Sequence, residues 1–186
     1  MVKTSNNYIV AIIPARGGSK RLPRKNIYPF RGKPMISWSI EAAQRSKLIN
    51  EVFVSSEDNE ILKIALQYGS EIIKRPNELA DDKIFKMEVI KHAVKEIEKN
   101  KKPNVVISLQ ANSPEITASI LDESIHKLYH NNLNEVISLD ENLVQNGAIR
   151  VMKYSTVFQE ALSVYMGAIQ TNIKDIHTLE DLEKIL

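Results

Sequence analysis

The sequence predicts an α/β fold in which a mostly parallel sheet is flanked by helices. Short apolar runs alternate along the chain with longer segments whose apolar residues recur at helical spacing. This alternation favours parallel pairing, because each helix carries the chain back to the start of the next strand. A chain of 186 residues can bury one sizeable core. We therefore expect residues 1–186 to form a single domain.

The apolar runs predict seven strands, each bounded by polar or turn-forming residues. They lie at residues 8–13, 51–55, 71–73, 105–109, 135–139, 148–152 and 164–168. The intervening segments predict five helices, at residues 35–46, 58–68, 83–100, 117–130 and 178–186. Asp58 is a candidate N-cap of the second helix, and Thr178 with Asp181 matches a capping box at the start of the last.

The composition excludes several functional classes. The chain has no cysteine, so disulfide bonds, thiolate metal sites and cysteine nucleophiles are impossible. A formal net charge of +2 gives no basis for general nucleic-acid binding. No segment approaches the ~18 apolar residues of a membrane span, and residues 1–7 lack the apolar core of a signal peptide. We therefore expect a cytoplasmic protein without a nucleic-acid or membrane partner.

A basic, glycine-containing loop directly follows the first predicted strand. It combines two adjacent glycines with five cations: Arg16, Lys20, Arg21, Arg24 and Lys25. Glycine allows backbone N–H groups to approach an anion closely, and the cations neutralise its charge. The loop therefore predicts a site for the triphosphate of a nucleotide. Because the Walker and dinucleotide glycine patterns are absent, a solvated surface turn is the alternative interpretation.

Two further polar segments follow predicted strands, at residues 55–58 and 110–115. Ligands of open α/β sheets bind outside the carboxyl ends of the strands. The basic loop lies at such an end as well. We therefore expect the three segments to converge on one nucleotide-sized site.

Seven motifs follow one another along the chain. The first is Ala-Arg-Gly-Gly-Ser-Lys-Arg-Leu-Pro-Arg-Lys-Asn at residues 15–26. The others, in order, lie at residues 54–57, 68–71, 75–82, 109–114, 146–149 and 175–178. Together they resemble the motifs of the acylneuraminate cytidylyltransferase family, which activates sialic acid and related acidic sugars with CTP. The resemblance implies a fold of the nucleotide-diphospho-sugar transferase type, which is Rossmann-like. It also implies transfer of CMP from CTP to an acidic sugar, with release of pyrophosphate, for surface glycan biosynthesis.

The resemblance also implies a role for individual residues. The nucleotide-binding set is Ala15, Arg16, Gly17, Gly18, Ser19, Lys20, Lys25, Asn26, Arg75, Glu78 and Asp81. The catalytic set is Arg16, Lys25, Gln110 and Asp175, and the acceptor-binding set is Gln110, Asn112, Ser113 and Asn146. Mg²⁺, or alternatively Mn²⁺, would bind Asp175 with Glu57, Glu115 or His177 as candidate second ligands.

Three departures from the family pattern leave alternatives open. His177 stands where the family has a second aspartate, and imidazole is a poor ligand for Mg²⁺. Glu115 and Ile116 replace a Leu-Arg pair, whose arginine could meet a sugar carboxylate. Glu115 could instead act only at the start of the following helix. The middle of the chain is too short for the family's dimerisation extension, so a homodimer would use another surface.

These departures keep two other functions under consideration. One is a nucleotidyltransferase for a sugar phosphate or another acceptor. The other is a nucleotide-binding homologue without turnover. It is considered because Glu57 and His177 stand at positions that are aspartate in the family.

Overall fold

The computed structural model describes residues 7–185. The main strands are β1 (Ile9–Pro14), β4 (Glu51–Ser56), β5 (Glu71–Lys74), β6 (Val105–Leu109), β7 (Glu135–Leu139), β8 (Gln145–Lys153) and β9 (Met166–Gln170). A small hairpin is formed by β2 (Pro29–Phe30) and β3 (Lys33–Pro34). The helices are α1 (Met35–Gln44), α2 (Asn59–Gln67), α3 (Lys86–Glu98), α4 (Ala118–His130), α5 (Tyr154–Val157) and α6 (Leu179–Glu183). Short 3-10 turns lie at Lys25–Ile27 and Asn77–Ala80.

The main strands form one sheet in the order β5-β4-β1-β6-β8-β7-β9. Within this described sheet, β8 runs antiparallel to both of its neighbours and all other neighbouring pairs are parallel. Helices α1, α2 and α4 pack on one face, and α3 and α5 pack on the other. The predicted fold class, a mostly parallel sheet flanked by helices, is confirmed.

Several element boundaries differ from the prediction, because the local sequence pattern does not determine where these elements begin or end. Helix α3 begins at Lys86 rather than at residue 83, because Phe85 has extended backbone angles. Strand β8 is longer than the predicted 148–152, since its pairing with β6 and β7 continues beyond the apolar run. Strand β9 is shifted by two residues from the predicted 164–168. Residue 186 of the last predicted helix lies outside the described residues.

The predicted helix caps are confirmed. The Asp58 side chain accepts hydrogen bonds from the backbone N–H groups of Glu60 and Ile61, which satisfies two donors at the start of α2. Thr178 and Asp181 form the expected capping box of α6. Both helices therefore begin where the sequence places their caps.

The parallel strands position the candidate site. The carboxyl ends of β1, β4, β5 and β6 lie at the same edge of the sheet because these four strands are parallel neighbours. The basic loop, Glu57, Arg75 and Gln110 directly follow these ends. In the described part of the chain, no helix is long and apolar enough to cross a membrane.

Candidate active site

The basic loop is anchored to the end of β4. The backbone N–H of Ala15 donates to the Ser55 carbonyl at 2.9 Å, and that of Gly17 donates to Glu57 Oε1 at 2.7 Å. Buried Asn26 closes the loop from the other side, because its side-chain amide donates to the Arg16 carbonyl at 2.9 Å. A β-carbon at Gly17 would collide with the Asp58 carboxylate. Glycine is therefore required for the loop to approach α2 this closely.

A buried ion pair supports this anchor. Arg75 is 4% exposed, and its Nε and Nη2 donate to Glu57 Oε2 at 3.0 and 2.7 Å. Burial acts to raise the pKa of Glu57, but hydrogen bonds from backbone N–H groups and from Arg75 outweigh it and lower the pKa. Both carboxylate oxygens already accept hydrogen bonds. The buried Arg75 cation paired with this carboxylate would repel a metal ion bound to it, which disfavours Glu57 as a metal ligand.

A cavity of about 290 Å³ opens beside the basic loop, and we call it the first cavity. Its lining includes seven residues that the sequence assigned to the site: Arg16, Ser19, Lys25, Asn26, Arg75, Asp81 and Asn112. The predicted nucleotide-binding residues Ala15, Gly17, Gly18, Lys20 and Glu78 are not in the lining. Ala15 and Gly17 contribute through backbone bonds to β4, whereas exposed Glu78 lies in the 3-10 turn after Arg75.

Leu79, Ala80 and Asp82 also line the cavity, and they belong to the turn at residues 76–82 that the family resemblance assigns, with Arg75, to the cytosine and ribose. The sequence reasoning missed the other lining residues, which are Pro14, Ile84, Lys86 and Val89. Lys86 and Val89 enter the cavity only because α3 begins at its wall.

Asp82 joins two of the cations. Its carboxylate forms ion pairs with Arg16 and with exposed Lys20. Hydrogen bonds from Lys20 and Arg16 hold the pKa of Asp82 below its ordinary value. Any phosphate that binds these two cations would compete with Asp82 for them.

Lys25 is a half-buried cation of the basic loop. Burial lowers its pKa, the nearby Asp175 carboxylate opposes that effect, and the positive charges of Arg21 and Arg16 add to it. Its Nζ is 3.5 Å from His177 Nδ1, and Arg21 Nη2 is 3.1 Å from the same nitrogen. Arginine and protonated lysine are donors only, so Nδ1 of His177 is an acceptor here.

Asp175 connects most of the predicted acceptor-binding residues. Its Oδ2 accepts a hydrogen bond from Gln110 Nε2 at 2.6 Å, and its Oδ1 accepts one from Ser113 Oγ. The same Gln110 nitrogen also donates to the Asn146 carbonyl at 3.2 Å. Residues separated by up to 65 positions are therefore assembled around one carboxylate.

Asn112 holds the Asp175 segment in place. The backbone N–H of Ile176 donates to the Asn112 carbonyl at 2.9 Å, and the Asn112 side-chain amide donates to the Ile176 carbonyl at 2.9 Å. Glu115 adds a third tie, because its Oε2 accepts a hydrogen bond from the Lys174 backbone N–H at 3.0 Å. Thr117 caps α4, so Glu115 serves the Asp175 segment rather than that helix start.

A second cavity, of about 400 Å³, borders this cluster. Its lining includes Asn146 and Asp175. It also includes the charged residues Asp140, Glu141, Lys174, Asp181 and Lys184. Asn112, which holds the Asp175 segment, lines the first cavity, so both cavities border the region around Asp175.

The residues around Asp175 fit a metal ion only together with ligands from a substrate. Within residues 7–185, no group of three or more histidine or acidic side chains is placed to hold an ion. Mg²⁺ in phosphate-transfer sites commonly takes one or two carboxylates and completes its shell with phosphate oxygens and water. Asp175 meets that requirement. His177 does not, because imidazole is a poor ligand for Mg²⁺ and its Nδ1 already faces the cations Lys25 and Arg21.

Related sequences and similar structures are found among known proteins. A family model described as cytidylyltransferase matches residues 10–184. The pseudaminic acid cytidylyltransferase of Campylobacter jejuni subsp. jejuni is 42% identical over 124 residues, which cover 66% of this chain and 53% of the relative. N-acylneuraminate cytidylyltransferase A of Danio rerio is 33% identical over 137 residues, covering 74% and 31% respectively. The matched stretch thus spans about half or less of each relative.

One of the similar structures is a CMP:2-keto-3-deoxy-manno-octonic acid synthetase complexed with CTP. It superposes with a TM-score of 0.78 and covers 96% of this chain and 97% of that chain. The sequences are 17% identical, so this likeness concerns the fold alone. It agrees with the fold type that the sequence motifs imply.

Proposed function

Since this chain belongs to the cytidylyltransferase family, we propose that it transfers CMP from CTP to an acidic sugar and releases pyrophosphate. The acceptor is a nonulosonic acid of the pseudaminic or sialic acid type, used for surface glycans. The main support is one geometric observation. The loop cations Arg16 and Lys25 border the same cavity as Asn112, which ties down the Asp175 cluster.

The chemistry requires alignment and charge neutralisation more than covalent participation by the protein. The acceptor hydroxyl oxygen bonds to the α-phosphorus, the bond between that phosphorus and the β-phosphate oxygen breaks, and the hydroxyl proton passes to solvent. In this proposal Arg16, Ser19 and Lys25 hold the triphosphate in the first cavity. Gln110, fixed by Asp175 and the Asn146 carbonyl, orients the acceptor.

We propose Asp175 as the protein ligand of Mg²⁺, with Mn²⁺ as an alternative. The bound ion would neutralise phosphate charge beside the acceptor. Gln110 and Ser113 keep the Asp175 carboxylate in one orientation through their hydrogen bonds. This assignment needs neither Glu57 nor His177, whose side chains contact cations of the site.

We propose that residues 1–186 act as one domain without a dimerisation extension. The connection between β7 and β8 consists of residues 140–144. Asp140 closes it by accepting hydrogen bonds from the backbone N–H groups of Asn142 and Val144. A homodimer would then use another surface, and a cytoplasmic location is a prediction that goes with this function.

The function can be tested by pyrophosphate release with CTP, UTP, ATP and GTP. The acceptors are a pool of nonulosonic acids and sugar phosphates, with Mg²⁺ or Mn²⁺. We expect release that is specific for CTP, is lost in Lys25→Ala, and persists in Lys63→Ala, a matched change at an exposed lysine of α2. The mass of the product identifies the acceptor.

The same experiment separates the two alternatives. Pyrophosphate release with a sugar phosphate, but with none of the sugar acids, would mean that the acceptor is a sugar phosphate. Absence of release, combined with an increase in the melting temperature on adding CTP, would indicate a nucleotide-binding protein without turnover.

A further inference from the structure

Lys86 is a cation of the first cavity that belongs to none of the family motifs. It is the first residue of α3, and its partly buried side chain lines the cavity. Its Nζ donates a hydrogen bond to the Gly147 carbonyl at 2.8 Å. This bond fixes the ammonium group at the wall shared by α3 and β8.

The Lys86 ammonium is poorly solvated but charged at neutral pH. Burial lowers its pKa to about 8, the Asp175 carboxylate opposes this effect, and the Arg150 guanidinium adds to it. An ammonium group has three N–H donors. Among residues 7–185, the Gly147 carbonyl is its one hydrogen-bond partner. A desolvated cation with unused donors at a cavity wall is suited to bind an anionic oxygen.

The position of Lys86 identifies which anion it would meet. The other cations lining the cavity are Arg16 and Lys25 of the basic loop, and Arg75, which is paired with Glu57. Lys86 instead lies beside Gln110. A β-carbon built on Gly147 would be 3.1 Å from Gln110 Nε2 and 3.7 Å from Lys86 Nζ. The ammonium group therefore lies next to the amide that we assign to the acceptor rather than on the triphosphate loop.

We propose that Lys86 binds the carboxylate of the acceptor sugar and thereby determines the specificity for acidic sugars. This inference rests on the proposed function. It assigns a residue of this chain to the acid group itself, whereas Gln110 orients the remainder of the sugar. The absence of a side chain at Gly147 leaves the space between the two donors open, since a β-carbon there would crowd Gln110.

The test compares an acid with its methyl ester, because esterification removes the charge and little else. N-acetylneuraminic acid or pseudaminic acid, whichever is turned over, is paired with its ester. In Lys86→Met we expect kcat/KM for the acid to fall about 10- to 100-fold, mostly through KM. The kcat/KM for the ester should change less than about threefold, because the ester presents no negative charge to residue 86 in either the wild type or the variant. Lys86→Arg should recover part of the acid preference. Lys95→Met, at an exposed position of the same helix, is the matched control.

Three results would overturn the inference. Equal losses for acid and ester would indicate a general structural role. Loss of the CTP-induced increase in melting temperature, with an unchanged KM for the acid, would assign Lys86 to the nucleotide. An unchanged preference for the acid over the ester in Lys86→Met would show that another group binds the carboxylate.

Failure of the proposed function is distinguishable from failure of this inference. If the wild type turns over no acceptor, calorimetric binding of the acid in the presence of CTP still tests Lys86 with the same variants. Weaker binding of the acid in Lys86→Met alone supports the contact. Equal binding, or no binding of the acid by the wild type, overturns it.

Discussion

At the residue scale, Glu57 anchors the backbone of the basic loop. One oxygen of this carboxylate holds the backbone of Gly17 and the other neutralises buried Arg75. The family motif has aspartate at this position, but the extra methylene of glutamate still allows both contacts. The loop therefore keeps an anchored backbone despite the changed residue.

Glu57→Gln should lower the free energy of unfolding by about 1–3 kcal/mol at pH 7, because a buried guanidinium loses its countercharge. The native environment lowers the pKa of Glu57 below its ordinary value of 4.5. Its contribution is therefore fully present above pH 4.5 and disappears as the pH falls through the native pKa. Urea unfolding at pH 7 and pH 3 should show the difference from wild type shrinking. Exposed Glu123→Gln is the control. An equal difference at both pH values would contradict the prediction.

Asp82→Asn should increase the affinity for CTP about two- to fivefold at low salt, since the ion pairs of Asp82 with Arg16 and Lys20 are exposed and individually weak. The gain should shrink at high salt, because screening weakens the competing ion pairs in the wild type. CTP titrations at two salt concentrations measure both effects. Weaker CTP binding by the variant would mean that Asp82 contributes to nucleotide binding.

At the scale of elements, α6 packs against the basic loop and the start of α1, beside the candidate site. Its Leu182 packs with Leu22 of the basic loop, with Met35 of α1 and with Ile176. The helix is short, so it depends on its capping box and on this packing rather than on intrinsic helix stability. The segment that carries Asp175 thus has a packed helix on its C-terminal side.

Thr178→Ala should lower the free energy of unfolding by about 1 kcal/mol, because it leaves the Asp181 backbone N–H without its side-chain partner. Thr178→Ser keeps the hydroxyl and should remain within a few tenths of a kcal/mol of wild type. Urea unfolding of the two variants gives the comparison. A serine variant as unstable as the alanine variant would show that the methyl group, not the cap, is responsible.

At the scale of the whole molecule, the connection between β7 and β8 leaves exposed apolar side chains that nothing in the described fold requires. Leu143 and Val144 are 66% and 60% exposed. Leu143 also has a positive φ of 62°, a conformation that asparagine tolerates better.

The double variant Leu143→Asn, Val144→Thr should leave the oligomeric state unchanged if association uses another surface. Sedimentation velocity of wild type and variant at matched concentrations measures this. A wild-type dimer that becomes a monomer in the variant would place the interface at residues 140–144 and contradict the proposal.

The sequence predicted what is local and missed what depends on distant pairing. The basic loop after β1 and the caps of α2 and α6 were predictable because each rests on neighbouring residues. Lys86 was not, since it reaches the site through Gly147, which lies 61 positions away and is brought close by the pairing of β8 with β6. The ion pairs of Asp82 with Arg16 and Lys20 were not predicted for the same reason, because these partners lie far from Asp82 in the sequence. The family motifs supplied Asp175 where no local pattern could.

The two hydrogen bonds between Asn112 and Ile176 have a consequence for the synthesis of this protein on the ribosome. These residues lie 64 positions apart, and their contact holds the neighbouring Asp175 beside Gln110 and Ser113. During translation, the part of the sheet that carries the basic loop can form once β1, β4, β5 and β6 have emerged from the ribosome. Asp175 emerges later than all of them. Nascent or truncated chains that end before residue 175 would therefore keep the cations of the basic loop but lack Asp175 and the hydrogen bonds that tie Ile176 to Asn112.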